Sequence, residues 1–309
     1  MEKEKKEKEV IDILFPYYGD IKLMKEAVAS VLKQSYTNWR LLVFDDGMPG
    51  DEVEDFFKNL IKEEIKNTGK TRIFYHRNVE NLGANKNFRQ ALDQAESNYY
   101  VMMGADDLMK ENFLSHFIDI LSQSSERIDI YQPNIEVIDE KGKVYLPMVD
   151  RVKSWLMPKK SGIYRGENLA KTYIHGWHYF PSMIWRTALA KKVGFHPDYV
   201  TLQDVYQGLD ILQDSGSLYL DRDCISFSYR RHSQSDSSLK ALNGIRFEQE
   251  KKFYQQKEKE FLALGWKHAA ISARRHYWSR LNALSLIPKA ILSKEGQAKK
   301  LFRHFLNLN

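Results

Sequence analysis

The sequence predicts an α/β fold: a mostly parallel central sheet flanked by helices, with a helical C-terminal extension. Three observations predict it. Residues 10–109 alternate between short apolar runs rich in β-branched and aromatic residues and stretches with helical apolar spacing. Those helical stretches are long enough to serve as right-handed crossovers between parallel strands. From residue 243 onward the spacing is helical and the charge turns basic.

In chain order, residues 1–9 are nearly all Lys and Glu, which reads as a solvated, disordered tail rather than a secretion signal. Residues 10–16 form a short apolar strand. Residues 21–32 place Leu23, Met24, Ala27, Val28, Val31 and Leu32 at helical spacing. A second strand over 39–44 ends in Asp45-Asp46-Gly47, and 53–65 is an amphipathic helix. Residues 72–76 read as a strand, 87–95 as a helix and 99–103 as a fourth strand that stops at Gly104. Beyond this the rhythm breaks. Residues 128–139 and 143–146 read as a hairpin about Gly142. Residues 148–165 are polar and basic and are expected to be a mobile loop, with Trp155 alone in it. Helices follow over 167–174, 187–193 and 204–213, and a β segment over 217–229. Gly265 and Pro288 are expected to interrupt the final helical region.

A chain of 309 residues supports one large domain or a domain with an appendage. The single cysteine, Cys224, excludes an internal disulfide and a cysteine metal site, which fits a reducing compartment. No run of 18 apolar residues exists, so no membrane span is expected. Residues 241–309 carry 14 Lys/Arg against 5 Asp/Glu, or +9, in a chain of net charge +6, leaving −3 elsewhere. The basic character therefore belongs to the tail, and no nucleic-acid role is expected of the main domain.

The most informative short feature is the acid pair Asp106-Asp107, just past a buried strand. Two adjacent carboxylates repel unless a cation or solvent neutralises them. In open α/β sheets ligands bind outside the carboxyl ends of the strands. An acid pair there points to a divalent metal and, behind it, a phosphate ester. The alternative is a surface turn in which one acid caps a helix.

Four segments, in order, resemble the family 2 glycosyltransferases of the GT-A, Rossmann-like fold. They are Ile13-Leu14-Phe15-Pro16-Tyr17-Tyr18-Gly19; the run from Ala27 through Ser30-Val31-Leu32 and Gln34 to Asp45-Asp46-Gly47; Asn81-Leu82-Gly83 with Asn87 and then the acid pair; and Asp204 to His232. The resemblance covers roughly residues 10–235 and implies a catalytic domain over 10–240. Residues 10–109 would be its nucleotide-binding half and 110–240 its acceptor-binding half.

By this resemblance Pro16, Tyr18, Asp46, Asn81, Gly83, Asn87 and Asp106 would bind the nucleotide. The Tyr18 ring would stack on the base, and Asp46 would accept the imide N–H of a uracil. Asp106 and Asp107 would hold Mn²⁺ or Mg²⁺ against the diphosphate, Asp107 slightly favoured, with His232 reaching the metal or phosphate. Asp204 would be the general base of an inverting transfer, with Asp198 a weaker rival and Asp210 facing elsewhere. Arg230 and Arg231 would neutralise phosphate charge. Trp177 and His178, in the segment 175–182, would form a platform on the acceptor side. One departure stands out: Gly104 replaces the outer acid of the family's Asp-x-Asp.

The implied activity is sugar transfer from a nucleoside diphosphate, with UDP expected, to a glycan or lipid-linked glycan in bacterial cell-surface polysaccharide synthesis. A non-catalytic sugar-nucleotide binder and a nucleotidyltransferase are the alternatives. The expected location is cytoplasmic. The tail 241–309 is open to packing on the catalytic domain, homodimerisation or peripheral contact with the inner face of the membrane.

Overall fold

The computed structural model describes residues 9–197, 199, 201–231, 245–292 and 297–307. Strand β1 (Ile11–Tyr17) is buried along its whole length, and the two-residue period of a strand divides its side chains between two cores. Ile11, Ile13, Phe15 and Tyr17 enter one, while Leu14 enters the other. β4 (Tyr99–Met102) divides in the same way, Tyr99 and Val101 on the first side and Tyr100 and Met102 on the second. Asp12 breaks the apolar pattern of β1. Its buried carboxylate is clasped by Arg40 and by the Glu96 and Ser97 N–H groups, which ties β1 and β2 to the turn before β4.

β1 lies between β2 (Trp39–Asp45) and β4, with β3 (Ile73–Arg77) beyond β2, all parallel. The sheet then continues β8 (Ile184–Arg186), β6 (Ile130–Ile138), β9 (Ser217–Arg230) and β5 (Leu108–Met109), giving the order β3-β2-β1-β4-β8-β6-β9-β5. β8 runs antiparallel to both β4 and β6, and β6 runs parallel to β9. The register of the β6–β9 pair slips around Pro133, which has no N–H for the ladder.

Helices α1 (Ile21–Leu32), α2 (Glu52–Thr68) and α4 (Phe113–Gln123) contribute to the first core. Helices α3 (Ala84–Asp93), α6 (Gly166–Tyr173), α7 (Thr187–Val193) and α8 (Gln203–Gln213) contribute to the second. Asp20 caps α1, its Oδ1 accepting the Lys22 and Leu23 N–H groups.

Three expectations are corrected. Residues 148–165 are not a mobile loop: they hold α5 (Met148–Leu156) and β7 (Gly162–Arg165), which pairs with β9. The α5 helix is anchored by a polar residue, Asp150, buried against Arg231 and Tyr179, so its apolar pattern gave no warning. The return limb of the hairpin is a single bridge, Ile138 to Val144, and it leaves the sheet before Pro147. Pro288 does not interrupt the last region. Helix α11 (Tyr277–Leu292) runs through it, held on either side by Ala283 and Ala290 in a small core with Phe247 and Leu301.

The extension begins with α9 (Ile245–Ala263) and α10 (Lys267–Arg275), separated at Gly265. Phe253, Tyr254, Phe261, Ala269, Ala270 and Ala273 belong to the second core, so these helices dock on the main domain. The buried Lys257 bonds Asp210 of α8 as well as Gln213 and Glu260. α12 (Ala298–Phe305) completes the small core. Among the described residues no helix is long and apolar enough to cross a membrane.

Candidate active site

The carboxyl ends of β1, β2 and β4 sit side by side. Tyr17 is in register with Asp45, the Asp46 N–H donates to the Tyr17 carbonyl, and the Met103 N–H donates to the Leu14 carbonyl. Pro16 and Tyr17 are buried in the strand, whereas Tyr18 is 56% exposed at its end. Asp45 closes the turn after β2, its Oδ1 accepting the Met48 N–H and its Oδ2 the Tyr75 hydroxyl.

Asp46 is buried and shapes the next loop. Its Oδ1 accepts from Asn78 Nδ2 and the Leu82 N–H, and its Oδ2 accepts from the Gly83 N–H. A base imide would have to share Oδ2 with that backbone donor. Asn81 Oδ1 also accepts the Gly83 N–H, and Gly83 has φ 82°, a left-handed value that favours glycine. Asn87 is buried, donates to the Phe44 carbonyl and accepts from Asn78, so it joins α3 to β2.

The acid pair lies between β4 and β5 and caps no helix. Asp107 is buried, with the Arg230 N–H 2.7 Å from its Oδ1, whereas Asp106 is partly exposed. Burial, and then the neighbouring Asp106 charge, push the Asp107 carboxyl well above the usual carboxylate range. This is the electrostatic condition that a bound cation relieves. Asp106 is the more exposed of the two. The place of the missing outer acid is also explained: a Cβ on Gly104 would meet Asp107 Oδ2 at 2.4 Å and Asp106 Oδ1 at 3.2 Å. The Asp107 carboxylate folds back over the glycine.

Asp204 stands in the first turn of α8, with Oδ1 accepting the Val205 N–H and Oδ2 3.1 Å from His178 Nε2. Its side chain is 28% exposed. Burial works to raise its pKa, but the His178 ring, the Val205 N–H and the Lys153 ammonium outweigh it and hold the carboxyl below its ordinary value. His178 itself is buried, stacked on Tyr173 with centroids 4.3 Å apart. It is therefore a support for Asp204 and not an exposed platform.

Two further expectations fail on geometry. Trp177 is fully buried in the second core, so its ring offers no surface to a sugar. Arg230 is buried, and every guanidinium nitrogen donates within the protein: Nε to the Asp106 carbonyl, Nη1 to the Asp139 and Glu140 carbonyls, Nη2 to Glu26. It clamps the acid-pair turn to α1, with four of its five N–H donors spent within the protein. Arg231 pairs bidentately with Asp150 and lies over the Tyr229 ring. Asp210 is tied to Lys257. His232 and Asp198 lie outside the described residues.

Sequence reasoning missed Asp150 and Lys153, which sit one turn apart on α5. Lys153 Nζ donates to the His178 carbonyl at 2.9 Å and lies over the Tyr179 ring. Burial, and then the nearby Arg231, lower its pKa to about 8. An acid and a base three residues apart were the available signal, hidden by the loop assignment. Among the described residues no three His, Cys, Asp or Glu side chains gather as a metal-binding group. Among the described residues the acid pair offers two carboxylates. That fits a hard divalent cation whose remaining ligands are water and phosphate oxygens.

Residues 12–191 match the family model "Glycosyl transferase family 2". The chain is 28% identical over 133 residues to an uncharacterised glycosyltransferase of Rickettsia conorii, a match covering 43% of this chain and 20% of the relative. It is 24% identical over 118 residues to the putative teichuronic acid biosynthesis glycosyltransferase TuaG of Bacillus subtilis, covering 38% and 44% of the two chains. These matches thus span less than half of the relatives' own length. Among solved structures, S. aureus TarS in complex with UDP-GlcNAc superposes with a TM-score of 0.57 at 16% identity, over 97% of this chain and 72% of that one. The mannosyltransferase PcManGT of Pyrobaculum calidifontis, in complex with GDP-Man and Mn²⁺, gives 0.53 at 13% identity, over 97% and 85%. The strand order, the match across more than half of the chain and the fold shared with these structures lead to one conclusion: the chain belongs to glycosyl transferase family 2 and has the GT-A fold.

Proposed function

We propose that this protein transfers a sugar, with inversion, from a nucleoside diphosphate donor to a hydroxyl of a glycan or lipid-linked glycan, in the synthesis of a bacterial cell-surface polysaccharide. One observation carries the reading. The β4 acid pair and the α8 carboxylate are joined by a continuous polar path: Asp107 to the β9 exit at Arg230 and Arg231, Arg231 to Asp150, and along α5 to Lys153, which braces the His178–Asp204 pair. TarS with UDP-GlcNAc and PcManGT with GDP-Man support a nucleotide-sugar donor, and PcManGT with Mn²⁺ supports a divalent metal.

Tyr18 supplies an exposed ring for the base, and Asp46 Oδ2 shares its lone pairs between the Gly83 N–H and the base imide. Asp106 and Asp107 would hold Mn²⁺ or Mg²⁺, which when bound neutralises charge on the departing diphosphate. Asp204 takes the proton of the acceptor hydroxyl. The hydroxyl oxygen bonds to the anomeric carbon as the bond from that carbon to the phosphate oxygen breaks, and the nucleoside diphosphate leaves with the electron pair. His178 keeps Asp204 ionised and oriented for this step.

The test is a panel of UDP- and GDP-sugars, scored for donor hydrolysis and transfer with Mn²⁺. Asp204→Asn is expected to lower turnover by roughly 10²–10⁴-fold with donor binding retained. Wild-type turnover in that variant, or no response to any nucleotide sugar, would refute the reading.

A further inference from the structure

A cleft of about 390 Å³ lies between β6, the limb that follows it, and α5. This is within the range of small-molecule sites, ~300–1,000 Å³. None of Asp106, Asp107 and Asp204 lines it. Its walls are apolar and aromatic, including Ile135, Val144, Leu146 and the rings of Tyr145 and Tyr179.

The charges along it are unequal. Its two carboxylates are already committed: Glu136 to Lys110 and the Ser228 hydroxyl, each at 2.7 Å, and Asp150 to Arg231 and Tyr179. Arg222 is different. Its backbone is fixed, the N–H bonded to Ser161 Oγ and the carbonyl to Asn134 Nδ2, so the side chain has a set origin on the cleft wall. Among the described residues no carboxylate lies within ion-pair distance of its guanidinium, and its Nη1 faces Met157 Sδ at 2.6 Å. A thioether is a weak acceptor, and a guanidinium carries five donors in a planar fork. That fork matches a carboxylate or phosphate.

We propose that this cleft binds the acceptor saccharide through an anionic substituent, with Arg222 as the group that recognises it. The proposal rests on the transfer reading above and names the chemistry of its acceptor. A sugar ring has apolar faces for the walls and a hydroxyl rim for Asn134 and Ser154, and its oxyanion would meet Arg222. α5 connects the cleft to the chemistry: Asp150 and Ser154 line the cleft, and Lys153 between them reaches the His178 carbonyl beside Asp204.

The experiment measures binding by calorimetry to the full chain without donor or metal. The probes are methyl glucuronide, methyl glucoside, glycerol 3-phosphate and inorganic phosphate. The glucuronide or glycerol 3-phosphate is expected to bind roughly 10- to 100-fold more tightly than the neutral glucoside, from one charge-assisted pair. The ranking of these two separates a carboxylate from a phosphate source. Arg222→Gln should erase the preference, and Arg222→Lys should retain part of it. Ser154→Trp, which fills the cleft from α5 and leaves Arg222 in place, should weaken all organic probes. Equal binding of glucuronide and glucoside, a preference that survives Arg222→Gln, inorganic phosphate binding as well as the organic anions, or no binding at all would each overturn the proposal. Donor hydrolysis by the wild-type protein is scored separately, so a failed cleft and a failed transferase reading give different results.

Discussion

Replacing Gly104 probes the acid pair directly. The φ of Gly104 is not in the left-handed region, so alanine meets no backbone obstacle there. The obstacle is the Asp107 carboxylate, whose Oδ2 would lie 2.4 Å from the new Cβ. Asp107 cannot simply swing away, because its Oδ1 is held at 2.7 Å by the Arg230 N–H in a buried setting. Overpacking of this kind costs ~1–3 kcal/mol. The gain from stiffening the unfolded chain, ~0.4–1 kcal/mol, is smaller. The steric term wins, and Gly104→Ala should be destabilised by ~1–2 kcal/mol, a fall in Tm of roughly 2–8 °C for a domain of this size. Gly104→Asp restores the family's outer acid and adds a third negative charge, so its fall should be larger. Asp107 has a raised folded pKa, so its contribution to stability is present at low pH and is lost as the pH rises through that pKa. The Asp variant's extra deficit should therefore grow as the pH rises above the ordinary carboxylate range, and it should shrink when Mn²⁺ and UDP are added. Thermal unfolding of the three proteins across pH, with and without ligands, decides it. A Gly104→Ala melting temperature at or above wild type would show that Asp107 does not lie over the glycine. Equal falls for Ala and Asp would show that the pair is not a centre of uncompensated negative charge.

Two further predictions follow from the same geometry. His178→Leu removes the main group that lowers the Asp204 pKa and leaves burial, which raises it, so the acidic limb of the pH–kcat/KM profile should move to higher pH. His178→Gln, which keeps an N–H donor, should move it less, and an unmoved limb in both variants would remove His178 from the machinery. With the two carboxylates of the acid pair as its metal ligands among the described residues, the protein should bind Mn²⁺ weakly alone and much more tightly with UDP present. Calorimetric titrations giving equal affinities in the two conditions would contradict a shared metal site.

Much of the architecture was legible because periodicity reports burial. The strand-length runs at 10–16, 39–44, 72–76 and 99–103 each appear as a parallel strand, within a residue or two at the ends. The 187–193 helix was read with its observed bounds. The reading failed where stability comes from a distant partner. α5 is held by a buried ion pair between Asp150 and Arg231, 81 positions apart, and no local pattern announces it. The same distance hides the fate of the site residues. Trp177 and Arg230 look like ligand-binding groups in sequence because a tryptophan and an arginine beside a motif often are. Packing places one in the core and turns every guanidinium nitrogen of the other to a partner within the protein.

The sequence by itself determined the family-like order of motifs, the strands read over 10–16, 39–44 and 99–103, and the presence of two adjacent acids and a helix-start aspartate. These are local or periodic properties, encoded within a few residues of where they act. Only the tertiary structure decided which carboxylate is more exposed, why glycine stands at 104, that His178 bonds Asp204 and is itself held by Lys153 from a helix absent from the sequence reading, and that Arg222 lines a cleft with no carboxylate among the described residues within ion-pair distance. Burial, ion pairing and pKa depend on the distances between residues far apart in the chain, and those distances exist only once it has folded.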